Sequence, residues 1–120
     1  MIYLASPYSH PELGVRYKRY VEVCIAAARF LENGHHIFCP IAMSHPISEF
    51  GDIKTSWDFW SEYDLCMINN SNELWVLMLD GWKTSVGVQA EIEYAYKKHL
   101  TVKFIDPITL IEVTPNKAYN

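Results

Sequence analysis

Apolar and polar positions divide the chain into short continuous apolar runs and longer segments with helical spacing. Met1 to Ala5 (MIYLA) is an apolar run closed by Ser6-Pro7, the form of a buried central strand entering a turn. Ser9-His10-Pro11-Glu12 has the S-x-x-E form of a capping box, with Pro11 in the first turn, where a missing N–H costs little. A helix is predicted from there. Tyr17, Val21, Cys24, Ala28 and Leu31 recur at spacings of three and four, which predicts the face that packs on a sheet, and Asn33-Gly34 terminates it. His35 to Cys39 reads as a second short strand ended by Pro40. Ile41 to Thr55, with Pro46 and Gly51, reads as a long loop of the kind that closes over a ligand.

Ser56 or Thr55 is positioned to cap a second helix through Trp57, Trp60, Asp64 and Met67 to about Asn70. Leu74 to Leu79 (LWVLML) is apolar throughout, as expected of a strand covered on both faces. Asp80-Gly81 ends it, Ser85 opens a third helix to about Lys98, and Thr101 to Ile105 forms a fourth strand before Pro107. Leu110 to Val113 has the makings of one more short strand. The order β-α-β-α-β-α-β predicts an α/β fold. It is a single-domain, flavodoxin/Rossmann-like three-layer sandwich with a mainly parallel sheet and right-handed crossovers. That domain spans 1–106, and 107–120 is a tail serving as an edge strand or a subunit contact. Sites in such sheets lie at the carboxyl ends of the strands. Ser6-Pro7-Tyr8, the segment after Cys39, and Asp80 to Ser85 all fall there.

Composition narrows the partners. A chain of 120 residues, half hydrophobic and 20% charged, suits one globular domain. A net charge of -4 speaks against wrapping a nucleic-acid polymer, which relies on many Lys and Arg side chains, but leaves a small phosphorylated ligand open. Cys24, Cys39 and Cys66 are odd in number and widely spaced, so they read as reduced core residues of a cytoplasmic protein. No leader pattern and no apolar stretch of membrane-spanning length is visible. His10, His35, His36, His45 and His99 lack a metal-ligand spacing, and nothing in the sequence calls for a metal or cofactor.

Within the third helix Val88, Ile92 and Ala95 form the apolar stripe, and Glu91 lies on the same face. Spacing alone fits either a carboxylate that snorkels from the edge of the stripe or a functional one facing inward. A functional carboxylate needs a partner, and Tyr3, in the apolar first strand, carries a phenol that must hydrogen-bond if buried. Asp64 sits in a largely apolar stretch of the second helix, with a surface position as its alternative. Two inward carboxylates suit chemistry at a glycosidic bond, one attacking carbon and one handling the leaving group's proton. Asp80 to Gly87, with Gly81 and Ser85, joins a strand to a helix N-terminus, where an anion is favoured. The same segment fits a plain connecting loop in which Ser85 is only an N-cap. Trp57, Trp60, Trp82 and Tyr8 serve as packing or as a stacking face for a base, and His45 as a loop residue or a contact to a base edge.

Taken together these residues resemble the nucleoside 2-deoxyribosyltransferase-like superfamily, over most of Met1 to Asp106. Ile2-Tyr3-Leu4-Ala5-Ser6 is similar to its first strand, Asp64-Leu65 to its second-helix Asp, and Ser85 to Ala95 (SVGVQAEIEYA) to its signature helix. The resemblance implies Glu91 as nucleophile, Tyr3 as the group that orients it, and Asp64 as the aid to the departing base. It further implies a nucleotide or nucleoside substrate and a homodimer or higher homo-oligomer, in which a neighbouring subunit's tail completes the site. Asn116, Tyr119 and similar tail positions have no assigned match. Asn72 departs from an Asp usual near the start of the third strand, and Pro7 and Tyr8 differ from the usual phosphate-side residues. In the transferases the position six before the nucleophile is typically Asp. In the deoxynucleoside 5'-monophosphate N-glycosidases it is Ser, and here it is Ser85, with Gly87, Ser6, Asp80 and Gly81 expected nearby. A neutral hydroxyl beside free amides favours a phosphate that an Asp would repel. The expected activity is therefore hydrolysis of the base–sugar bond of a 5'-monophosphate. Base exchange and a non-catalytic nucleotide-binding module are its alternatives.

Overall fold

A period of two in the central strands sorts their side chains onto two faces. Ile2 and Leu4 of β1 (Ile2–Ala5) join Trp75 and Leu77 of β3 (Glu73–Leu77) on one side, while Tyr3 and Ala5 join Leu74 and Val76 on the other. The computed structural model describes residues 1–53 and 56–115, and in it both faces are covered. Helices α1 (Leu13–Glu32) and α2 (Pro40–Phe50) pack on the first face through Val23, Ala26, Ala27, Phe30 and Ile41. Helices α3 (Trp57–Asn69) and α4 (Val86–Lys97) pack on the second through Ile68, Val88, Ile92 and Ala95. The result is a three-layer α/β sandwich.

The sheet runs β2 (Ile37–Phe38), β1, β3, β4 (Thr101–Ile105), β5 (Glu112–Val113). The first four strands are parallel, and β5 returns antiparallel along β4 with Val113 beside Phe104. The chain leaves β1 through α1 on one face to the outer strand β2, and leaves β3 through α4 on the opposite face to β4. Strand order therefore reverses between β1 and β3, and the reversal opens a crevice at their carboxyl ends. Asn72 lies at the other end of the sheet, where its Oδ1 accepts from the amino terminus at 2.8 Å.

Several local expectations are corrected. Ser9 does not cap α1, which begins at Leu13 with Glu12 as an N-cap that makes no side-chain bond. The intended box is dismantled because the Glu12 amide donates to His10 Nδ1 (3.0 Å) and the Ser9 carbonyl accepts from Arg19 Nη1 (2.9 Å). The buried stripe of α1 is Val23, Ala26, Ala27 and Phe30, while Tyr17, Ala28 and Leu31 are exposed. This helix is apolar around much of its girth, so spacing alone does not choose the face. The supposed loop after Cys39 is largely helix α2. Pro40 starts it at a position where its fixed φ helps, and Pro46 is tolerated inside. Helix α3 starts after Ser56 without a side-chain cap bond, and Thr55, Asn116 and Tyr119 lie outside the described residues. Cys66 is exposed rather than in the core, although all three cysteines are free. Among the described residues no helix is long and apolar enough to cross a membrane.

Candidate active site

Each group at the crevice is placed by an element whose reason for forming is visible in its sequence. Tyr3 is the inward residue at the middle of β1 and is 0% exposed. Its phenol must find a partner there, and it donates to Oε2 of Glu91, which is 5% exposed. Glu91 is held by the Val88, Ile92 and Ala95 stripe that seats α4 on the sheet. Asp64, half-buried in α3, approaches the same phenol from the neighbouring helix, close enough for Tyr3 to favour its charged form.

The three groups perturb one another. Burial pushes the Glu91 carboxyl up to about 8; donation from Tyr3 works against that and the charge of Asp64 adds to it. Burial likewise pushes Asp64 up to about 7, again opposed by Tyr3. The Tyr3 phenol is itself raised, first by burial and then by the two carboxylates. Near neutral pH the pair therefore titrates as one coupled unit, in which the more deeply buried Glu91 keeps a proton more readily than Asp64.

The carboxylates open into a cleft of about 450 Å³, a size suited to a nucleoside or nucleotide. On one wall Ser85 caps α4, its Oγ accepting from the Val88 amide at 3.2 Å. Gly87 in the first turn admits the indole of Trp57, since a Cβ there would meet Trp57 Cε3 at 3.3 Å. Ser6, which follows β1, lines the cleft, and its Oγ is buried with no hydrogen-bond partner among the described residues. Tyr8 and Ile41, which belong with the α1–α2 cluster on the other face of the sheet, line the cleft as well, with Pro40 and Ser44.

Arg19 fixes the loops at the mouth. Its guanidinium donates to the carbonyls of Ser9 (2.9 Å), Tyr8 (3.4 Å) and Asp80 (3.1 Å), tying the loop after β1 to the loop after β3. Gly81 is required beside it, for two reasons. Its φ is +93°, and a Cβ would fall 2.5 Å from Arg19 Nη2.

Of the site residues expected from sequence, Glu91, Asp64, Ser85, Gly87 and Ser6 line one cleft, with Tyr3 directly behind Glu91. Four do not line it. Asp80 offers its carbonyl to Arg19 and borders a separate groove with Lys18 and Pro107, and Gly81 forms the turn. Trp60 packs edge-to-face against Phe59 and Tyr63. His45 stands behind the cleft wall, where it is bonded to Tyr8 and Glu49. Sequence reasoning missed Asp58 as a wall residue, whereas Trp57, offered there as packing or as a stacking face, lines the cleft. The available signal was that Trp57 and Asp64 stand seven apart, on one helical face. Among the described residues no group of three or more His, Cys, Asp or Glu side chains is arranged to hold a metal, and no Lys or Arg lines the cleft.

Fold and site together define a doubly wound α/β domain with an acidic, hydroxyl-rimmed cleft at its switch point. The chain belongs to the family described as a domain of unknown function, DUF1937, whose model matches residues 1–106. No curated protein matches the chain.

Proposed function

We propose that this cleft hydrolyses the base–sugar bond of a (deoxy)nucleoside 5'-monophosphate. The observation that carries the reading is the buried Tyr3–Glu91 hydrogen bond with Asp64 beside it. The reactive form carries the shared proton on Asp64; ionised Glu91 then attacks the anomeric carbon as the bond to the base breaks, and positive charge developing on the sugar offsets the cost of a buried carboxylate. Asp64 gives its proton to the departing base and then takes one from the water that cleaves the glycosyl–Glu91 ester, releasing the sugar phosphate and freeing the Glu91 carboxylate. Tyr3 orients the nucleophile. Ser85, the amides of the first turn of α4, and the unsatisfied Ser6 hydroxyl favour a phosphate at that end. Three free cysteines suit a cytoplasmic setting. Exposed Leu13, Phe50 and Ile108 suit a homo-oligomer.

One observation favours a second reading, in which the substrate is an uncharged nucleoside and a second base resolves the intermediate. Asp58 is part of the cleft wall, and no described Lys or Arg lines the cleft with it. Incubation with each deoxynucleoside and its monophosphate, followed by chromatography, separates the two. Free base from monophosphates with little from nucleosides supports hydrolysis of nucleotides, whereas a new nucleoside formed on adding a foreign base supports exchange. Binding with no base released from any of them sinks both.

A further inference from the structure

A hydrogen-bond chain runs from the surface of α2 to the cleft wall. The Tyr8 hydroxyl and His45 Nδ1 lie 2.6 Å apart, and His45 Nε2 lies 3.0 Å from Glu49 Oε1. The imidazole is only 11% exposed and is stacked on the Tyr20 ring, with centroids 3.9 Å apart and planes at 17°. Tyr8 meets it edge-on. A chain so enclosed has a direction. A carboxylate only accepts, so the Nε2 proton of a neutral imidazole points at Glu49, and Nδ1 is left as an acceptor. The Tyr8 hydroxyl must then donate to Nδ1. Its oxygen, in a half-buried residue that lines the cleft, has only lone pairs to offer a ligand. Burial also raises the Tyr8 pKa, so the group stays a neutral phenol.

We infer that Tyr8 is a specificity residue, a fixed hydrogen-bond acceptor that selects a base bearing an amino group, with His45 and Glu49 as positioning residues that set its polarity. This inference rests on the reading of the cleft as a nucleotide or nucleoside site. Tyr8 packs against the α1–α2 cluster while Val88, in the first turn of α4, belongs to the cluster on the other face of the sheet, so a ligand whose 5' end rests at α4 directs its other end toward Tyr8. Cytosine presents an amine at the position where uracil presents a carbonyl. Facing an acceptor-only oxygen, the amine makes a hydrogen bond and the carbonyl meets a lone pair.

The test compares deoxycytidine with deoxyuridine, each as nucleoside and as 5'-monophosphate, by calorimetric binding and by base release at pH 8. The wild-type protein is expected to favour the cytosine compounds by about tenfold or more. Tyr8→Phe is expected to bring that ratio close to one with folding intact. His45→Leu frees the phenolic proton to be donated, so the preference is expected to shift toward the uracil compounds, a change that loosened packing would not produce. Equal handling of the two bases by the wild type, or a ratio untouched by both substitutions, overturns the inference. A cytosine preference in binding that Tyr8→Phe removes, with no base released, upholds the role of Tyr8 and defeats only the hydrolytic reading.

Discussion

The two faces of the sheet are built from the same strands by the same alternation, yet they do different work. On the α1–α2 face, Ile2, Leu4, Trp75 and Leu77 meet Val23, Ala26, Ala27 and Phe30, and among the described residues no buried carboxyl joins them. On the α3–α4 face the inward position between Ile2 and Leu4 is given to Tyr3, and α4 answers with Glu91. The first face is optimised for burial, whereas the second carries a carboxyl whose ionisation burial opposes. The contrast locates the place where this fold gives up stability by burying a carboxyl.

The contrast breaks most sharply at Glu91. Glu91→Gln keeps the shape and removes the nucleophile, and base release is expected to fall by about 10³-fold or more in a chromatographic assay. The same substitution is expected to stabilise the fold. Because the folded-state carboxyl is raised from 4.5 to about 8, its contribution is fully present below pH 4.5 and is lost as pH rises through about 8. The variant's advantage in denaturant unfolding should therefore be small near pH 5 and grow to about 2 kcal/mol or more near pH 8. A wild-type stability that holds level over that range would contradict the burial argument.

On the opposite face Leu4→Ala is expected to cost about 2–5 kcal/mol of stability, read from denaturant midpoints, with turnover per folded molecule unchanged. A specific loss of turnover there would dissolve the distinction between the faces. Tyr3→Phe is a subtler test, with base release expected to fall by about 10- to 100-fold. It removes a donor that favours ionised Glu91, so the acid limb of the kcat/KM profile should move to higher pH. In the wild type that profile should be bell-shaped with its maximum near 7 to 8, where the pair holds one proton. The smallest effect is expected at the mouth of the cleft. Arg19→Ala should raise KM more than it lowers kcat, because it frees two loops without touching the carboxylates.

The parts of the molecule that local sequence determines were readable in advance. LWVLML can only be a buried run, Ser85 does cap α4, and Glu91, which spacing leaves between the edge of the stripe and an inward position, lies inward. Helix α2 was hidden because Pro46 and Gly51 signal a loop. What overrides them is tertiary: Ile41 is buried against the α1 face, and His45 is stacked on Tyr20. The Ser9 box failed for a similar reason, since Arg19 claims the Ser9 carbonyl to join two loops. In the site, the sequence offers Trp57 and Trp60 alike as stacking faces, and how α3 meets Gly87 puts Trp57 at the cleft. The Tyr8–His45–Glu49 chain joins residues 37 positions apart at its first link, and no local pattern encodes that.

The most direct test is to find where the sugar goes. A substrate that releases base is mixed with the protein, the reaction is stopped with acid within one turnover, and the digested peptides are weighed. The account predicts a deoxyribosyl phosphate, or a deoxyribosyl group if nucleosides are the substrates, on the peptide containing Glu91, and none on that peptide in Glu91→Gln. A sugar attached to another residue, or base release by Glu91→Gln at the wild-type rate, would contradict it.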